Sequence, residues 1–166
     1  MNKKEKIMSK KLVIYYSLEG HTKKVAEFIA NLTQADICEL KPKKEIKSSG
    51  FSKYFWGGSQ VFMAKSPVLM PMGINFDEYD EIYLGTPIWA WTFAPPIRTI
   101  LEGDYLKNKD IYYFYTHGGG PGKAEEKSIE EISKNNKFIS AISIFDKDIR
   151  EDMKTVELAI KDWLKI

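Results

Sequence analysis

The chain has 166 residues, of which 43% are apolar and 29% charged, and its net charge is only +2. That length suits one domain with a core of its own, and a near-balanced charge with arginine only at Arg98 and Arg150 argues against a nucleic-acid partner. The single cysteine, Cys38, excludes an internal disulfide, the hydrophobic runs are too short for membrane insertion and no signal-like leader is evident, so a cytoplasmic, reducing setting is expected.

Residues 1–10 read as a lysine-rich arm ahead of a domain over 11–166. A first strand is expected over 11–16, "KLVIYY", followed by a loop and a helix over 20–32 with an apolar stripe at Val25, Ile29 and Leu32. A short strand over 35–40 holds Cys38 in an apolar setting, which predicts an inert thiol. The segment 49–73, "SGFSKYFWGGSQVFMAKSPVLMPMG", is aromatic and glycine-rich. It reads as a helical piece over 53–56, a break at Gly57 and Gly58, and another piece over 60–65; Pro67 and Pro71 forbid one long element.

A third strand is expected over 81–86, then a helix that Pro95 and Pro96 open and that carries Ile97, Ile100 and Leu101. The fourth strand covers 110–116, a helix carries Ala124, Ile129 and Ile132, and the fifth strand covers 138–145. A last helix shows Ile149, Met153, Val156, Ile160 and Trp163 at steps of four, three, four and three, a core-facing stripe. Strands that are apolar throughout rather than alternating are buried on both faces. The fold class is therefore α/β: a doubly wound, five-stranded parallel sheet in the order 2-1-3-4-5, with helices on both faces.

Ligands of such sheets collect beyond the C-terminal strand ends, and three loops reach that edge. In the first, "SLEGHT", Ser17 and Thr22 offer hydroxyls and Gly20 permits a tight turn that points amides at an anion. Ser17 or Thr22 could equally cap the helix. In the second, "TPIWAWT", Trp89 and Trp91 either stack on a planar ring or belong to the core or an interface. The third, "THGGGPG", needs close backbone approach or unusual dihedrals. It fails the spacing of a triphosphate-binding loop and of a dinucleotide fingerprint. One phosphate at the first loop and a flat ring between the other two describe FMN.

"VIYYSLEGHTKKVAEFIA", "YDEIYLGTPIWAWTFAPPI" and "FYTHGGGPGKAEE" resemble the flavodoxin family, in particular short flavodoxin-like proteins with a middle segment like "KYFWGG". The resemblance spans nearly all of the chain after the arm. It implies that Ser17, Glu19, Gly20, His21 and Thr22 surround the phosphate, with Glu19 pointing away and His21 contributing mainly backbone. It implies that Thr86, Pro87, Ile88, Trp89, Ala90 and Trp91 line one side of the flavin, and Thr116, His117, Gly118, Gly119 and Gly120 the other. One glycine peptide of 118–120 would reorient beside the flavin N5. Two features depart from the family: the chain is slightly basic rather than acidic, and His117 stands near where a tyrosine often covers the ring.

The expected function is FMN-dependent electron transfer, in one of two forms. One is a shuttle that meets a redox partner protein. The other is a small oxidoreductase that reduces a quinone or similar acceptor, with NAD(P)H as one donor; His117 is then a candidate proton donor. The rival is a partner-binding module that keeps the fold and has lost FMN. A monomer or weak dimer is expected.

Overall fold

The computed structural model describes residues 9–44 and 64–166. The helical pieces expected over 53–56 and 60–65 and the arm over 1–10 fall wholly or mostly outside those residues. The elements are β1 (Lys11–Tyr15), α1 (His21–Thr33), β2 (Asp36–Glu39), a 3-10 turn (Phe76–Glu78), β3 (Glu81–Trp89) and β4 (Thr92–Phe93). Then come α2 (Pro95–Glu102), β5 (Asp110–His117), α3 (Ala124–Ser133), β6 (Lys137–Phe145), α4 (Asp146–Glu151) and α5 (Met153–Leu164).

Five strands form a parallel sheet in the order β2-β1-β3-β5-β6. Counting only those five, this is the expected order 2-1-3-4-5. The apolar strands divide by side-chain parity, as strand geometry requires. Leu12, Ile14, Tyr16, Ile82, Leu84, Tyr113 and Tyr115 join one core with Ile97, Ile100 and Ile132 of α2 and α3. Val13, Tyr15, Tyr83 and Phe114 join a second core with Val25, Ile29, Ile149, Val156 and Ile160 of α1, α4 and α5. Each central strand thus buries both rows of side chains.

Cys38 lies in the first core, and burial pushes its thiol above the ordinary range, with the Glu39 charge adding to the shift. That disfavours the thiolate and fits the inert reading. Among the described residues no helix is long and apolar enough to cross a membrane.

Two elements differ from the sequence expectation. The third strand does not end at Thr86. It continues to Trp89, turns through Ala90 and Trp91, and pairs antiparallel with β4 at Ile88↔Phe93 and Trp89↔Thr92. The last helix is two. Asp152 leaves the helical region at φ −147, accepts the Thr155 backbone N–H at 3.2 Å, and so caps the start of α5. The apolar stripe survives the break, because Ile149, Val156 and Ile160 remain buried on one core. The spacing therefore revealed the buried face but not the interruption.

Gly85 is what lets the sheet centre close. It pairs with Phe114 across β3 and β5, and a Cβ there would lie 2.1 Å from the Phe114 ring. Phe114 is fully buried in the second core, among the side chains of α1 and α5 that pack there. Gly85→Ala is expected to lower stability by about 1–3 kcal/mol, the usual cost of overpacking a core. Urea unfolding followed by circular dichroism measures this; a midpoint equal to the wild type would show that the ring yields freely.

Candidate cofactor site

A cavity of about 200 Å³ opens beyond the C-terminal ends of the parallel strands. Ser17, Leu18, Glu19, His21 and Thr22 line it from the β1–α1 loop, Pro87, Ile88 and Trp89 from the end of β3. Thr116 and Gly118 line it from the end of β5, and Asp146 from the start of α4.

The polar end is built by the first loop. Gly20, the residue before α1, takes the left-handed conformation at φ +91, which explains why glycine stands there. Its N–H donates to Ser17 Oγ at 3.1 Å. Neither Ser17 nor Thr22 caps α1, since the Gly20 position carries no side-chain cap. Thr22 instead meets Thr116 hydroxyl to hydroxyl at 2.9 Å, with both residues buried at the cavity wall. This bond ties the first loop to the third across 94 residues of chain.

The apolar wall is the end of β3. Trp89 is 6% exposed and meets Tyr16 edge-on, with ring centroids 5.5 Å apart. Trp91 is 66% exposed, yet its indole covers Gly122, where a Cβ would lie 2.6 Å from Cδ1. Gly122 is itself left-handed, at φ +58. Ala90 and Trp91 both hold left-handed dihedrals, at φ 45 and 59. A two-residue hairpin turn demands that, and it favours Asn-Gly over Ala-Trp. Backbone strain of this kind is concentrated at functional sites.

Thr86 is buried and serves the hairpin rather than the cavity wall: its Oγ1 accepts the Ala94 N–H at 3.0 Å and donates to the Pro87 carbonyl at 2.9 Å. Gly20, Ala90 and Trp91 shape the surrounding backbone without lining the cavity, and Gly119 and Gly120 stand exposed beside it. His117 also stands beside the cavity. Its Nε2 pairs with Ser143 Oγ at 2.9 Å, and its ring lies between those of Tyr115 and Phe145.

Two lining residues carried no signal in the loop motifs, Leu18 and Asp146. Asp146 follows the last strand, and its position at the same sheet edge is the signal that could have revealed it. Its carboxylate stands 3.5 Å from His21 Nδ1. Burial raises its pKa above the ordinary carboxylate value, while His21, His117 and Arg150 pull the other way.

A family model of flavodoxins matches residues 10–164. The chain belongs to the flavodoxin family. Solved structures agree with this placement. A candidate flavoprotein of Bacteroides eggerthii DSM 20697 is 25% identical, covers 89% of this chain and 98% of its own, and superposes with a TM-score of 0.72. A Lactobacillus acidophilus NCFM flavoprotein, determined in complex with FMN, is 25% identical over 86% of this chain and 97% of its own, with a TM-score of 0.67. A flavodoxin from the domain Archaea is 19% identical, covers 95% of this chain and 99% of its own, and has a TM-score of 0.51, a likeness of fold.

In this flavodoxin-family chain the Thr22–Thr116 bond is the hinge between the two polar loops. Thr116→Val leaves the buried Thr22 hydroxyl without its partner, at an expected cost of about 1–3 kcal/mol. Replacing both threonines by valine removes the orphan and should cost less than the two single changes summed. A double-mutant cycle by urea unfolding measures the difference; strict additivity would show that the bond contributes nothing.

Proposed function

We propose that this chain binds FMN at the cavity and works as an electron-transferring flavoprotein. The observation that carries this reading is the cavity's two-ended chemistry. One end offers the Ser17 and Thr22 hydroxyls at the N-terminus of α1, where unpaired amides and the helix dipole favour an anion. The other end offers Pro87, Ile88 and Trp89, an apolar wall that suits a planar ring. A phosphorylated flavin has those two ends. The FMN complex of the Lactobacillus relative supports the same ligand here.

FMN supplies the redox chemistry when bound, and the protein supplies position and surroundings. Ser17 and Thr22 would hold the phosphate with the loop amides. Pro87, Ile88 and Trp89 would form one wall for the ring and Thr116 and Gly118 the other, with His117, Gly119 and Gly120 beside them. Trp91 covers Gly122 and so joins the second loop to the third. The electrons would pass to a partner protein or to a small acceptor of the quinone class, in a reducing compartment.

Titrating apo-protein with FMN tests the reading. Saturable one-to-one binding with a shifted visible spectrum and changed flavin fluorescence is expected. Ser17→Ala removes a hydroxyl from a charged ligand, worth about 1.5–3 kcal/mol, so its FMN affinity should fall by roughly ten- to a hundredfold with riboflavin affinity unchanged. Folded protein that binds no FMN at high micromolar concentration would favour the partner-binding module instead.

A further inference from the structure

We propose that Asp146 and His21 form a proton-accepting pair that takes up one proton when a phosphorylated flavin enters the cavity, which makes Asp146 a specificity-determining residue for the phosphate. The inference rests on the FMN reading above.

A carboxylate is the wrong charge for a phosphate wall, yet Asp146 lines the same cavity as Ser17 and Thr22. It stands between the first and third loops: Oδ2 is 3.5 Å from where a Cβ on Gly118 would be, and Oδ1 is 3.5 Å from His21 Nδ1. Two buried polar atoms in this corner have no hydrogen-bond partner among the described residues, Asp146 Oδ1 and His117 Nδ1. His21 Nδ1 is 3.5 Å from that same Asp146 oxygen, near enough to interact electrostatically but without a formed hydrogen bond. Buried polar atoms in folded proteins are ordinarily satisfied, so these two stand out beside the cavity.

The groups that face Asp146 come from every element around it. His21 opens α1, His117 ends β5, Arg150 lies one turn along α4, and Glu19 extends from the first loop. Burial, the largest influence, already favours the protonated carboxyl; His21, His117 and Arg150 oppose it and Glu19 assists it. A phosphate adds a further negative charge beside the carboxylate, and like charges at one site raise the affinity of one of them for a proton. Histidine is the side chain that gains charge most readily near neutrality. A proton on either member of the pair turns repulsion into a hydrogen bond, carboxyl to phosphate or imidazolium to both anions. Riboflavin has no phosphate and makes no such demand.

The sign follows from linkage. Above about pH 7 a phosphate monoester is already a dianion, so the free ligand no longer changes charge. If binding takes up one proton, affinity falls about tenfold for each unit of rising pH. FMN and riboflavin titrations of the full chain between about pH 7 and pH 9, with calorimetry in two buffers of different ionisation enthalpy, read both the slope and the proton count. The expected result is a steep FMN slope, a flat riboflavin response and about one proton taken up per FMN bound. Asp146→Asn, with its fold checked by circular dichroism, should bind FMN more tightly than the wild type at the alkaline end, because one of the two facing negative charges is gone. The wild-type calorimetry stands without the variant. FMN binding that is flat with pH, a riboflavin slope equal to that of FMN, or Asp146→Asn binding FMN no more tightly than the wild type at the alkaline end overturns the inference and leaves the FMN reading intact. Absence of FMN binding at every pH overturns both.

Discussion

The parallel register of β1, β3 and β5 is the constraint from which the cavity follows. Tyr15 pairs with Gly85, and Pro87 pairs with Thr116, so three chain segments leave the sheet side by side and in the same direction. A parallel strand cannot return through a tight hairpin; it needs a crossover, and both sheet faces are then covered by helices. The strand bodies become core, and the residues just past their ends become the only part of each segment free to serve a ligand. Gly85 makes this alignment compatible with a phenylalanine on the neighbouring strand, because the Phe114 ring occupies the space a side chain would need.

On that platform the polar and apolar ends of the cavity are made by different means. The polar end depends on a helix start left without a side-chain cap: Gly20 turns the chain, and the hydroxyls that could have capped α1 are turned to Gly20 N–H and to Thr116. Capping would have stabilised the helix and occupied the amides at its start. The apolar end depends on a hairpin that extends β3 past the sheet, held by Thr86 and strained at Ala90 and Trp91. Its two tryptophans divide their work. Trp89 turns inward on Tyr16, and Trp91 turns outward over Gly122.

Much of this was legible in the order of residues. Apolar runs in the strands, the three- and four-residue steps of the helices, and the glycines at Gly20 and in 118–122 identified the sheet, its order and the three loops. The break at Asp152 was not legible, because the stripe from Ile149 to Trp163 keeps its phase across it; only the capping geometry reveals that one helix has become two. Nor was the role of Thr86, which reads as a loop threonine and acts as a buried clasp for the hairpin. Asp146 was missed because it lies outside the three loop motifs and reaches the cavity only through its place after the last strand.

Sequence by itself determined the periodicities, hence which residues lie inward, and the conformational freedom that glycine allows at the turns. Those properties are local: they depend on neighbours a few positions away, and side-chain spacing along a strand or helix transmits them directly. Only the tertiary structure decided which loops touch. The meeting of Thr22 with Thr116, of Trp91 with Gly122 and of His21 with Asp146 joins residues that are far apart in the chain. Such contacts are set by strand register and by the space left between packed side chains, and neither is carried by any single stretch of sequence.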